Sequence, residues 1–316
     1  MTTYLDTDRW IRRFGPAPEA TGPLLTSGRG TTARGTTTHD ATAHNATAHN
    51  ATTHDATAPD ATRDATGRPG ATAPPVRLVC FPHAGGSAGF YRPLAPLLRP
   101  RVEVLAVQYP GRLERRDEPQ FTEIEPLADA IADVLEPSWT RAPAAFLGHS
   151  MGAVVAYETA RRLTATTGTG PLALFASGRR APSTEREGEA LHLADDQELT
   201  AEIVRQGGTP PELLADPEIL AMVLPTLRGD YRAVERYRHR PGPRITAPVT
   251  VLFGTEDTKV TPREAHAWER HTDGPTEVLP LPGGHFFLTG QMERIAGVIR
   301  SRLPQGDPGP DRPENG

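Results

Sequence analysis

The pentapeptide Gly148-His149-Ser150-Met151-Gly152 sets a serine between two glycines, at the junction of the apolar run AAFLG and the helix-like stretch GAVVAYETARRL. Nucleophilic acyl transfer needs this arrangement. A sharp strand-to-helix turn pushes the serine Oγ clear of the backbone, and the first amides of the helix face developing negative charge. The pentapeptide alone is a weak signal; its place between a strand and a helix raises it. A serine hydroxyl is a poor nucleophile at neutral pH, so it requires a base, and the base requires an orienting acid. In an α/β fold these follow the serine in the order acid, then histidine, each after a late strand. Asp257 follows VTVLF in Gly254-Thr255-Glu256-Asp257, and His285 follows TEVLPL in Gly283-Gly284-His285.

Other residues compete for these roles. Glu256 and Asp273 are alternatives to Asp257. His266 and His271 fall on PREAHAWERH, where a solvated helical histidine is the ordinary explanation, and His192 and His239 fall in a separate helical region. Asp257 and His285 are the assignments. The oxyanion of a tetrahedral intermediate needs N–H donors, expected from Met151, the residue after the nucleophile, and from Ala84 in the loop Phe81-Pro82-His83-Ala84-Gly85-Gly86. His83 is read as shaping that loop by hydrogen bonding.

These residues must be carried by regular elements. Apolar runs at 76–81, 102–108, 144–148, 172–176, 249–253 and 276–281 alternate with helix-like stretches, the pattern of parallel strands buried on both faces. Within 122–136, Ile124, Leu127, Ile131, Val134 and Leu135 recur at three- and four-residue spacing and define one apolar helix face. Between about 183 and 247 the alternation gives way to mainly helical sequence, the signature of a lid inserted over one end of the sheet. The expected class is α/β: a mostly parallel central sheet flanked by helices, with a helical lid.

Composition bounds the rest. Residues 19–75 are almost entirely Ala, Thr, Gly, Pro, His, Asp and Asn, and 305–316 are similar; neither has the apolar spacing that offsets ordering entropy, so both are expected to be disordered. That leaves an arm at 1–18 and a folded domain at 76–304. Within the insertion, His39, His44, His49 and His54 recur every five residues, and Asn45-Ala46-Thr47 and Asn50-Ala51-Thr52 are formal glycosylation triplets. Metal binding is not expected, since a flexible repeat presets no geometry and no Cys or carboxylate cluster stands beside it. Glycosylation would need a secretory route that MTTYLDTDRWIRRF, without an apolar h-region, does not announce. Cys80, the only cysteine, lies in VRLVCF and is expected to be a buried structural thiol. A formal charge of −5 argues against a general nucleic-acid binder, and no 18 apolar residues run together. A cytoplasmic protein without membrane contact is the expectation.

Six segments together resemble the type II thioesterases of polyketide and nonribosomal peptide synthesis, within the α/β-hydrolase superfamily: FPHAGGSAGFY (81–91), QYPGR (108–112), GHSMG (148–152), LFASGRRAP (174–182), GTEDT (254–258) and GGHFFL (283–288). WIRRFGPAP (10–18) is similar to the segment that in this family leads almost directly into the first core strand. The resemblance implies hydrolysis, in trans, of acyl groups held as thioesters on the phosphopantetheine arm of acyl or peptidyl carrier proteins. Ser150 would be the nucleophile, His285 the base and then the acid, Asp257 its orienter, and Ala84 and Met151 the oxyanion donors. It implies no cofactor of the enzyme's own, and a monomer is the default. The carrier, generally acidic, could meet Arg112, Arg115, Arg116 and the run at 236–244. Met222, Val223, Leu224 and Leu227 either wall an acyl channel or pack the lid on the core, the second being favoured. The alternatives are a carboxylesterase or lipase with the same triad, and a non-catalytic carrier-binding scaffold, against which the complete set of three residues counts. The insertion at about 20–73 departs from the family and leaves open the path of the N-terminal arm. Deletion of residues 21–72 is expected to leave thioesterase activity within a few fold of wild type and to remove no tightly bound metal. Activity assay and elemental analysis of the deletion protein check both, and stoichiometric zinc lost with the repeat would restore the histidines to a role.

Overall fold

The computed structural model describes residues 7–14, 75–186, 188, 190–208 and 216–304, all within the unit that residues 1–15 form with 74–316. The insertion, with its four histidines and two Asn-x-Thr triplets, and the 305–316 tail lie outside the described residues. Seven strands form one sheet: β1 (Ile11–Phe14), β2 (Val76–Phe81), β3 (Val102–Val107), β4 (Ala144–His149), β5 (Leu174–Ser177), β6 (Val249–Gly254) and β7 (Thr276–Leu281), in the order β1-β3-β2-β4-β5-β6-β7. All neighbours are parallel except β1, which runs antiparallel to β3 with Ile11 opposite Val107 and Phe14 opposite Val104.

The N-terminal arm is therefore the outer strand of the sheet. It is anchored by α1 (Thr7–Trp10), where Trp10 is buried with the Arg115 guanidinium 4.1 Å over its ring. The other six strands match the six apolar runs, with β5 beginning two residues later than its run.

The strands read as continuous apolar runs because helices cover both faces, so alternate side chains enter two different cores. Val79, Phe81, Leu105, Val107 and Phe146 face the core made with α3 (Ile124–Trp139) and α4 (Met151–Thr167). Leu78, Cys80, Val104, Ala106 and Leu147 face the core made with α2 (Leu94–Leu98) and the C-terminal helix α7 (Met292–Arg302). Cys80 is the buried free thiol expected, its pKa pushed up by burial. On α3 the five residues of the expected apolar face are all buried. In α4 every residue from Met151 to Ala160 is buried, and Gly168 ends the helix in a left-handed conformation.

Among the described residues the lid contains a 3-10 turn at Leu191–Leu193, α5 (Asp196–Gln206) and α6 (Pro217–Arg236). Its helices start at good caps: Asp195 accepts from Glu198 N–H, and Asp216 from Glu218 and Ile219 N–H, with Pro217 in the first turn. Leu199, Ile203, Leu224 and Leu227 form a small separate core against Ala84 and Tyr231. Met222, by contrast, is 70% exposed.

Two expectations are corrected here. Arg112 and Arg115 do not belong to a docking surface: both are buried, Arg112 bonded to Asp230 and Gly86 O, Arg115 to Glu118 and Gln108 O. Their motif spacing is a packing requirement, which charge alone does not reveal; Arg116 is the one of the three that reaches solvent. His271 is not solvated either. Its ring is 2% exposed, 5.4 Å from Tyr157 and 4.7 Å from His239, with Nε2 2.9 Å from Ser183 Oγ. The helical stretch turns inward at its last residue, while His266 stays exposed.

Burial holds the His271 pKa down to about 4, and repulsion from His239 and Arg161 adds to this. The ring is thus neutral in the fold, whereas the unfolded chain takes a proton near pH 6.5. The stability this neutrality contributes is complete above pH 6.5 and falls as pH drops towards 4, by up to about 1.4 kcal/mol per pH unit for each extra proton on the unfolded chain. Denaturant titrations between pH 7 and 4.5 should show this decline, and His271→Gln should make it shallower; an unchanged slope in the variant would contradict the assignment.

Candidate active site

Ser150 stands between the end of β4 and the start of α4 with φ 53° and ψ −117°, a backbone conformation that non-glycine residues rarely adopt. Its neighbours make this possible. A Cβ on Gly148 would lie 2.2 Å from Gly152 O, and one on Gly152 would lie 2.0 Å from Phe81 O. No side chain fits at either place, so the two glycines of the pentapeptide let α4 start hard against the ends of β4 and β2. Ser150 N–H donates to Ser177 O at 2.8 Å, which ties the turn to β5.

His285 Nε2 is 3.0 Å from Ser150 Oγ, and His285 Nδ1 is 3.0 Å from Asp257 Oδ2. Asp257 comes from the loop after β6 and His285 from the loop after β7. Those loops are stitched together: Thr255 N–H donates to Leu281 O and Glu256 N–H to Gly283 O. Asp257 Oδ1 also accepts from Lys259 N–H at 2.8 Å, so the carboxylate is held at both oxygens. The competitors stand elsewhere. His192 is bound to Glu235 within the lid at 2.6 Å, His239 approaches Tyr157 OH at 3.3 Å, and Asp273 pairs with Arg244. Met151 is the first residue of α4, where N–H groups have no carbonyl one turn back to bond. Ala84 lines the same cavity as Ser150 and His285.

His83 is corrected in part: its O accepts from Gly86 N–H at 2.9 Å and closes the turn as expected, but its ring acts differently. Its Nδ1 is buried without a hydrogen-bond partner among the described residues. Instead its ring is wedged edge-on between Phe90 at 4.6 Å and Phe286 at 4.8 Å, so it shapes the loop by aromatic packing. His149 lies beyond it, 5.2 Å from the His285 ring, with Nδ1 3.0 Å from Ser177 Oγ. Burial holds His83 down to about 3 and His149 well below its ordinary value, and the nearby His285 lowers both further. Two neutral rings therefore flank His285 and bring no competing positive charge.

The cavity beside Ser150 measures about 50 Å³. Gln206, Tyr231 and Glu235 of the lid, Lys259, Arg179 and Arg180 wall it. Only tertiary placement identifies Gln206, Tyr231, Glu235 and Lys259, whereas Arg179 and Arg180 lie in the segment LFASGRRAP. A second cavity of about 60 Å³ adjoins the first, sharing His83, Ala84, Gln206, Tyr231 and Phe286, and is lined in part by Val223 and Leu227. Of the four lid residues considered for an acyl channel, these two reach a cavity and Leu224 packs inside the lid.

The thioesterase domain family matches residues 76–303. Over 233 residues the chain is 48% identical to the probable cadicidin biosynthesis thioesterase of Streptomyces griseus, covering 74% of this chain but 64% of that protein's length. It is 46% identical over 228 residues to thioesterase PikA5 of Streptomyces venezuelae, covering 72% of this chain and 81% of that one. Among solved structures, the type II thioesterase BorB from the borrelidin biosynthetic cluster superposes with a TM-score of 0.67 at 47% identity, over 73% of this chain and 93% of that one. The α/β-hydrolase sheet, the serine turn at its centre and these relatives agree: the chain belongs to the thioesterase family and is a thioester hydrolase.

Proposed function

We propose that the protein hydrolyses acyl thioesters carried on the phosphopantetheine arm of acyl or peptidyl carrier proteins, in trans, clearing misprimed or stalled units from a polyketide or nonribosomal peptide synthase. The biosynthetic names of its relatives support the setting. The observation that carries the chemistry is the placement of His285 within 3.0 Å of both Ser150 Oγ and Asp257 Oδ2.

In this reading Ser150 Oγ attacks the thioester carbonyl while His285 Nε2 takes its proton. Asp257 holds the Nδ1–H tautomer and stabilises the imidazolium. The tetrahedral oxyanion accepts from the Ala84 and Met151 N–H groups. The C–S bond then breaks and the His285 imidazolium passes its proton to the departing sulfur, which leaves the imidazole neutral again; because a thiol has a pKa near 8.5, its departure needs less proton donation than that of an alkoxide. Water enters next, gives its proton to His285 and attacks the acyl-enzyme, and the proton passes to Ser150 Oγ as the acid leaves. The reaction requires only these side chains and water. A cavity of about 50 Å³ holds a few water-sized groups, which favours a short acyl unit.

Acyl-carrier thioesters from C2 to C8 should therefore be cleaved, the shortest fastest. Ser150→Ala should lower kcat on the order of 10⁵-fold or more, and a fluorophosphonate should label Ser150 of the folded wild-type protein. A Ser150→Ala protein at wild-type rate would refute the mechanism. Good turnover of p-nitrophenyl esters with no cleavage of acyl-phosphopantetheine would instead identify a carboxylesterase, and folded protein that resists labelling would identify a scaffold.

A further inference from the structure

The QYPGR segment that follows β3 contacts the loop after β2 rather than the reacting atoms. Gln108 Oε1 accepts from Ala88 N–H at 2.9 Å, Tyr109 OH donates to Pro82 O at 3.2 Å, and Arg112 Nη1 donates to Gly86 O at 2.8 Å. Three side chains of one short segment thus hold the backbone on either side of Ala84. The remaining grip comes from the lid. Asp230 of α6 is 2% exposed; its Oδ2 accepts from Gly85 N–H at 2.7 Å, and its Oδ1 accepts from Arg112 Nη2 and Gln120 Nε2, each at 2.9 Å. One turn earlier on the same helix, Thr226 Oγ1 donates to Gly111 O at 2.8 Å.

A buried carboxylate is tolerated only when its oxygens are bonded and its charge is met, and both conditions hold here. The loop's own bond, Gly86 N–H to His83 O at 2.9 Å, closes a turn across Ala84 and Gly85, but Gly85 has φ +74°, a conformation that glycine enters and leaves at little cost, so the turn alone holds its peptide planes loosely. The charge-assisted bond from Gly85 N–H to Asp230 fixes them, one residue from Ala84.

We propose that Asp230 is a positioning residue for the hydrolysis: accepting from Gly85 N–H while paired with Arg112, it holds the loop so that the Ala84 N–H points at the developing oxyanion. The inference rests on the reading of Ala84 as an oxyanion donor. Because Asp230 belongs to the lid, the donor is aligned when α6 is seated on the loop, and movement of α6 away from it releases the alignment.

The test is Asp230→Asn in the full chain. However its amide is turned, an NH2 group meets either the Gly85 N–H or the donors of Arg112 and Gln120. With active sites counted by fluorophosphonate titration, kcat per site should fall about tenfold or more, towards the 10²–10³ that outright loss of an oxyanion donor costs. KM should stay within about threefold, and affinity for a trifluoromethyl ketone, which forms an oxyanion on Ser150, should fall in parallel with kcat. Affinity for a thioether analogue of the acyl-carrier substrate should not change. An unchanged kcat per site, or a thioether affinity that falls as far as the ketone's, would overturn the proposal. Should Asp230→Asn not fold, Arg112→Lys carries the same test, since an ammonium keeps the buried charge but cannot span Gly86 O and Asp230 as the planar guanidinium does. The same pattern is expected at a smaller factor, and its absence overturns the proposal. A Ser150→Ala protein that kept its activity would bring down the proposed function as well, which separates the two failures.

Discussion

The start of α4 lies so close to the ends of β2 and β4 that there is no room for a methyl group at Gly148 or Gly152. The rest of the site depends on that approach. It forces Ser150 into a strained backbone conformation, which costs of order 1–3 kcal/mol. The strain persists because α4 is buried along its first ten residues and cannot relax without opening the core. The same contact sets the first turn of α4 beside the loop that leaves β2, so that Met151 and Ala84, distant in sequence, border one reacting centre.

The lid is seated differently. Among the described residues its own apolar core consists of Leu199, Ile203, Leu224 and Leu227 against Ala84 and Tyr231. More specific are its buried carboxylates: Asp230 on the loop after β2 and Glu202 paired with Lys259 at 2.6 Å, while Glu235 binds within the lid itself, holding the Leu191 and His192 N–H groups. Lys259 also donates its backbone N–H to Asp257, so α5 is tied to the loop that carries the acid. An ion pair that is buried is costly when misaligned. Such contacts therefore favour one seating of the lid over many.

Much of this was legible in the chain. The six apolar runs became β2 to β7, and the five-residue apolar face of α3 is buried, because burial on two faces or on one stripe leaves a periodic trace. Ser150, Asp257 and His285 were legible for a related reason: each follows a strand, and parallel strands deliver their C-terminal ends to one edge. The misreadings share a cause as well. Arg112 and His271 are polar residues whose partners are remote in sequence, Asp230 for Arg112 and Tyr157 and Ser183 for His271, and Arg115, though bonded to nearby Glu118 and Gln108 O, packs against the remote ring of Trp10. The ring of His83 was misread in the same way, since of its neighbours only Phe90 is local, while His149 and Phe286 come from two other segments.

The sequence by itself determined the class of fold, the order of serine, acid and histidine, and the glycines that a tight turn demands, for these are matters of local conformation and of period along the chain. Tertiary structure alone decided which charges are buried, which histidines are neutral, and which lid residue grips the loop beside Ala84. Burial and charge pairing depend on what the rest of the fold brings within a few ångströms, and no spacing along the chain records that.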